Sequence, residues 1–338
     1  MVPSELHDAL LDALLDCAWQ QWTSIGVAGI GASTETIVDP EALLVATLEI
    51  GRSDPRLFDE MLDWFTRNAS VVDAARLARL VSRGTPDQRR LAGVAARLAA
   101  ERGAGPTIAR LPEQEFIARE GRAAYGQEPL FRLPGGSMPT MPHQVDASFA
   151  AAGYVRGALE LRGMSRSPDG ALPTCLRFRA RALVGPGPRA EALTYLWTHE
   201  WAHGREIAAR TAYGQAPVAA YLASLAEGGL AERRTEGRRT LYRLAAPLRE
   251  VGKPAPAYVD WVTVWPALVA VLAALQPDGV SEDAAWMRLH QALDAHGAAL
   301  RTEGLETEVG DLKGWAHQGP EVLARAVEDV IARVRAMR

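Results

Sequence analysis

The sequence predicts a mainly α-helical protein, and three observations carry that expectation. Apolar residues recur three and four positions apart through most of the chain. Capping residues and prolines stand together where helices should begin. One stretch alone, around 230–245, alternates as a pair of strands would. The 338 residues are enough for two or three domains with hydrophobic cores. With 48% hydrophobic and 23% charged residues, wholesale disorder is excluded. The expected organisation is an N-terminal helical domain (1–103), a connector with one helix (104–176), a compact module (177–246) and a C-terminal helical region (247–338).

Taken in order, "SELHDALLDALLDCAWQQW" is a helix with Ser4 as its N-cap. Asp39-Pro40 and Asp54-Pro55 each pair a capping aspartate with a proline suited to the first helical position. They open "EALLVATLEIG" and "RLFDEMLDWFTRN". "SVVDAARLARLV" and "TPDQRRLAGVAARLAAERG" follow as two more helices. Residues 103–145, rich in Gly and Pro, read as an irregular connector. "DASFAAAGYVRGALELRG" (146–163) then resumes a helix. After residue 246, helices are expected over 257–276, 281–300 (Ser281 as N-cap) and 319–337. The glycine-rich "IGVAGIGAST" (25–34) follows a helix and not a strand, which argues against a dinucleotide-binding loop.

The net charge of -4 supplies no global field toward nucleic acid, so any such contact must be local. Cys17 and Cys175 stand far apart, as in a reducing cytoplasm, and form no C-x-x-C knuckle. The start of the chain lacks a basic signal-peptide region and carries three aspartates. The most apolar run, 258–275, contains Asp260 and Pro266 and reads as a core helix, so no membrane partner is expected. Of 37 basic residues only Lys253 and Lys313 are lysines, a bias typical of GC-rich bacterial genomes.

"THEWAH" (198–203) matches H-E-x-x-H through His199, Glu200 and His203. A zinc site needs both histidines on one face of one helix, the glutamate beside a bound water, and a third ligand. Gly204 and the pair Arg205-Glu206 follow at once, which favours a helix end. The extension H-x-x-G-x-x-H is absent. The histidines therefore read as polar residues at a helix end and the loop after it, with no metal, cofactor or catalytic residue assigned. A zinc peptidase is the remaining enzymatic alternative.

The surrounding stretch has its own order. "RAEALTYLW" is a first helix, "REIAART" a second, "AYGQ" a tight turn and "APVAAYLASLAEGG" a third helix with Val218, Leu222 and Leu225 inward. "LAERRTEGRRTLYRLA" is a hairpin around Glu236-Gly237. This series resembles the winged helix-turn-helix of bacterial transcription regulators, in particular ArsR-like ones, over about residues 177–245. The resemblance implies three helices plus a β-hairpin wing and a sequence-specific double-stranded DNA-binding regulator, a repressor in the first instance, acting as a homodimer. Between Arg177 and Arg243 stand eleven arginines and six acids, a basic module in an acidic chain. Arg233, Arg234, Arg238 and Arg239 make the wing tip cationic.

By the same resemblance the third helix reads base edges. Its outward residues are Gln215, Ala216, Pro217, Ala219, Ala220, Tyr221 and Ser224. Gln215 suits adenine and the alanines suit thymine methyls, but Arg, Lys and Asn are missing, so DNA shape must carry part of the specificity. The same deficit leaves a second reading open, a winged-helix scaffold for a protein partner in a toxin–antitoxin or phage-defence system. No cysteine pair on the second helix supports metal sensing.

Overall fold

The computed structural model describes residues 1–29, 33–109, 128–132, 142–302 and 319–337. It is mainly helical with a small three-stranded antiparallel sheet. Helix α1 (Pro3–Ser24) opens two residues earlier than its serine promised. Pro3 takes the first helical position, Val2 is the N-cap, and the Val2 N–H donates to Glu5 Oε2 at 3.2 Å. Ser4 lies inside the first turn and is no cap, because proline's fixed φ already suits that first position.

The next four helices begin at local caps, although the third of them starts at Ala74 and not at the expected Ser70, because 69–71 forms a separate turn. Asp39 caps α2 (Pro40–Ile50) by accepting from Ala42 N, and Asp54 caps α3 (Pro55–Asn68) by accepting from Arg56 N and Leu57 N. Asp73 caps α4 (Ala74–Arg83). Thr85 and Gln88 form a reciprocal capping box on α5 (Pro86–Glu101). Helix α2 is buried nearly all round, so Glu41 enters the interior with it. A buried carboxylate there requires partners.

The connector departs from expectation. A one-turn helix α6 (Pro106–Ala109) begins it, and the segments 110–127 and 133–141 lie outside the described residues. The helix expected over 146–163 is only one turn, α7 (Ala147–Ala150), capped by Asp146. Gly153, at φ +89, turns the chain out of it. Strand β2 (Tyr154–Val155) then pairs in parallel with β1 (Glu128–Pro129). The rest of the stretch is an extended arm held by three acids of α3. Asp59 pairs with Arg156 at 2.5 Å and Glu60 with Arg162 at 2.9 Å. Asp63 accepts from Gly163 N and Ser165 N at 2.7 and 2.9 Å. Partners roughly a hundred positions away thus outweigh the segment's local helical preference.

After the arm come α8 (Leu176–Val184), α9 (Pro188–Thr198), strand β3 (Ala202–His203), α10 (Gly204–Arg210), α11 (Gln215–Glu227), strands β4 (Ala231–Glu236) and β5 (Arg239–Leu244), and α12 (Ala246–Val251). The chain returns through α13 (Trp261–Ala274), α14 (Glu282–Thr302) and α15 (Pro320–Ala336). Helix α13 contains Pro266 and is buried, as its apolar run implied. Among the described residues no helix is long and apolar enough to cross a membrane.

Two hydrophobic cores result. The first joins α1–α5 with α13–α15, so the two ends of the chain share one interior, with Trp22 packed edge-on against Trp64 and Trp261 stacked on Trp265. The second lies within α8–α11 and the hairpin, reached by Ile37 from the N-terminal part.

Candidate nucleic-acid interface

The second core organises the segment. Ile207 and Ala208 of α10 meet Val218, Leu222 and Leu225 of α11. The helices approach closely at Gly204, where a Cβ would stand 3.2 Å from Leu222 Cδ1. Thr211 ends α10, and Ala212, at φ +59, makes the turn. Gly214 is the N-cap of α11 and offers no side chain to its first-turn amides. The hairpin pairs in register from Ala231↔Leu244 to Glu236↔Arg239, closed by Gly237 (φ +60) and Arg238. Strand β3 pairs antiparallel with β5, so the sheet order is β3-β5-β4. That third strand falls where the sequence offered only a short break.

The structure gathers some of the expected residues and separates others. Gln215, Ala216, Pro217, Ala219, Ala220 and Ser224 are exposed on α11. Tyr221 is half-buried, with the Arg189 guanidinium 5.8 Å from its ring. Arg189 and Arg205 are exposed cations beside these helices that the sequence reading did not single out. Arg189 directly follows the proline that opens α9, but its neighbour Tyr221 is 32 positions away. In the hairpin, Arg233, Arg238 and Arg239 are exposed and none meets an acid among the described residues. Arg234 faces the other way from Arg233. It pairs with Glu236 at 2.9 Å and covers Trp201 at 4.1 Å from the ring centre. Arg243 lies over the same indole at 4.7 Å and pairs with Glu232 and Glu200. One face of the hairpin is therefore neutralised by its own acids.

The histidines of "THEWAH" do not share a helix. His199 ends α9 in extended backbone (φ -124, ψ 133), while His203 is the N-cap of α10, its Nδ1 accepting from Arg205 N at 3.1 Å. Glu200 faces Arg243 at 3.2 Å. The His199 ring stacks on Tyr195 at 3.8 Å, and burial holds its pKa below the ordinary 6.5. Gly204 opens a helix and does not end one, because the earlier helix has already stopped at Thr198, and the i, i+4 face that a zinc helix needs is not formed.

What fixes the segment in place is a ring of six charged side chains. Arg76 bridges Asp39 and Glu41 at 2.5 and 2.7 Å; Arg181 bridges Glu41 and Glu191 at 2.7 and 2.9 Å. Arg177 closes the circuit between Glu191 and Asp39. All six are buried. Burial alone would raise the Asp39 and Glu41 pKa values, but the facing arginines reverse this and hold both below the usual carboxylate range. The ring joins α2 and α4 to α8 and α9. It also removes Arg177, Arg181 and Glu191 from the surface of the basic segment, leaving nine arginines and five acids there.

Helix α4 holds the turn as well. Arg76 Nε donates to Thr211 O and Arg79 Nε to Ala212 O, each at 2.9 Å. Arg79 lies 4.4 Å over the Tyr213 ring, and the Tyr213 hydroxyl donates to Asp73. No protein-family model matches the chain, and no curated protein and no solved structure matches it significantly.

Proposed function

We propose that residues 177–246 form a winged helix-turn-helix, ArsR-like in its order, and that the protein is a bacterial, cytoplasmic DNA-binding regulator of the repressor kind. The observation that carries the reading is the series α9-β3-α10-α11-β4-β5 with β3 paired to the far strand of the hairpin. That arrangement presents one helix face and one hairpin tip on the same small unit. On this reading α11 enters the major groove and Arg233, Arg238 and Arg239 meet phosphates of the adjacent backbone. Gln215 addresses adenine, and Ala216, Ala219 and Ala220 address thymine methyls. Pro217, Tyr221 and Ser224 lie along one flank of the same helix.

The test is an electrophoretic shift on the DNA upstream of the protein's own coding sequence and on a random duplex, repeated across a salt titration. Binding should fall linearly on a log–log plot with a slope of about -0.9 per phosphate contacted. The upstream DNA should win over the random duplex. A two-fold operator calls for paired modules, so light scattering at micromolar concentration should give twice the 36.5 kDa chain mass.

A second reading is favoured by one specific observation. The outward face of α11 carries alanines and no arginine, lysine or asparagine, and one face of the wing is neutralised by Glu232, Glu236 and Glu200. That surface suits a protein partner, with the module serving as a scaffold in a toxin–antitoxin or phage-defence system. Absence of any shift at about 50 mM salt, where cationic modules bind duplexes most strongly, decides for the scaffold.

A further inference from the structure

We propose that the N-terminal helix α4 extends the DNA interface, with Arg83 and Arg89 taking backbone phosphates beside the start of α11. The proposal rests on the DNA-binding reading above and adds to it a second element, remote in sequence. Its basis is position. The bonds from Arg76 and Arg79 to Thr211 and Ala212 fix α4 against the two residues that turn the chain toward α11. Tyr213, gripped by Arg79 and Asp73, comes two residues before Gln215.

Arg83 stands one helical turn beyond Arg79, on the same side of α4. It is exposed and meets no acid among the described residues. Arg89 swings back from α5, its Nη1 donating to Gly84 O at 2.6 Å, so its guanidinium sits next to Arg83 in the chain. Three arginines thus gather at the α4–α5 corner. They run against the composition of their region, since residues 1–103 carry fifteen acids and ten arginines in all. The first-turn amides of α11, which begins two residues after Tyr213, have no side-chain cap and present the positive end of its dipole. Phosphate is the ligand chemistry these groups share. Arg79 is a positioning residue here, because its guanidinium is engaged by Ala212 and Tyr213.

The test uses the full chain and a fluorescent mixed-sequence duplex of about 30 base pairs, with affinity measured across salt. Arg83→Ala should lower the log–log slope by about 0.9, and Arg83→Ala with Arg89→Ala by about 1.8. At 0.1 M salt the single variant should bind about eightfold more weakly, if affinities extrapolated to 1 M coincide. Arg83→Lys should restore the slope. Arg67→Ala, an exposed arginine in the last turn of α3, should leave it unchanged. If Arg83→Ala shifts only the unfolding midpoint and leaves the slope intact while Arg238→Ala lowers it, α4 is outside the interface and the winged-helix reading stands alone. If Arg67→Ala lowers the slope as much, the effect is a diffuse field and the proposal falls. If the unaltered protein binds no duplex at any salt, the DNA-binding reading itself fails.

Discussion

In the ring, Arg76, Arg177 and Arg181 are withdrawn from water and each meets two carboxylates. At the hairpin tip, Arg238 and Arg239 stand in solvent and neither forms an ion pair among the described residues, since Glu236, across from Arg239, pairs with Arg234. The side chain is the same, and its consequences are opposite. A buried guanidinium must be matched by charge and hydrogen bonds, so its contribution depends on every partner remaining. An exposed one contributes little to folding and keeps its charge available to something else. Three arginines and three acids, joining α2 and α4 to α8 and α9, therefore set the geometry of the unit. The hairpin tip sets what the unit can attract.

Removing Glu41 tests the first half of that contrast most strongly. Its two oxygens serve Arg76 and Arg181, and it also accepts from Asp73 N at 2.8 Å. Glu41→Ala leaves two buried arginines short of a partner and should destabilise by about 3–5 kcal/mol. Urea unfolding measures it. A loss below about 1 kcal/mol would mean that water or a shifted arginine compensates, and that the ring is not what holds α2 and α4 to α8 and α9.

Acid should take the ring apart more gradually. Asp39 and Glu41 have folded pKa values below their ordinary 3.8 and 4.5. The unfolded chain thus binds protons first as pH falls, and stability present above those ordinary values is lost beneath them. His199 adds an earlier, smaller step, since its depressed pKa makes protonation favour the unfolded chain below about 6.5. The urea midpoint should be flat near neutrality, ease below about pH 6.5 and fall steeply below about pH 4. In Asp39→Asn the steep part should shrink. A midpoint that does not move between pH 5 and pH 3 contradicts the assignment.

The same two regions show what a sequence read alone can reach. Helix starts at Asp39, Asp54 and Thr85 were legible because a cap, a proline and the first turn lie within a few residues of one another. The hairpin was legible for the same local reason. Ser4 misled because Pro3 already opens the helix. The stretch 146–163 misled because Asp59, Glu60 and Asp63 hold it from another part of the chain. The ring was invisible in the same way. Arg177 and Arg181 looked like two more cations of a basic segment, and nothing near them announced that Asp39 and Glu41, some 140 positions away, would take them inward. At the candidate interface, α11's exposed face could be read from its period of three and four. The cover of Arg234 and Arg243 over Trp201 could not, since it needs the strand β3 that no local pattern revealed.

Gln215 tests the interface with a smaller effect. It is exposed at the start of α11, where a major-groove helix places its base-reading side chains. Gln215→Ala should leave the salt slope unchanged and reduce discrimination between the preferred and a random duplex by about 1–3 kcal/mol. Equal loss on both duplexes would make Gln215 a backbone contact.

The smallest effect on folding is also the sharpest contrast. Arg238→Ala with Arg239→Ala deletes two arginines, as many as Glu41→Ala strands. Yet Arg238 lies in the exposed two-residue turn and Arg239 opens β5 opposite Glu236, and neither forms an ion pair among the described residues. Surface changes of this kind stay within about 0.5 kcal/mol, so the urea midpoint should hardly move. DNA binding should move instead. If both guanidiniums meet phosphates, the log–log salt slope falls by about 1.8, because each lost contact leaves one more set of counterions condensed on the duplex. The loss should be the same on preferred and random DNA, since phosphates carry no base identity. A double variant that unfolds early would place the wing tip among the structural charges, beside the ring. One that folds normally and binds DNA with unchanged affinity and slope would remove the wing from the interface and leave the protein-binding scaffold as the better account of the hairpin.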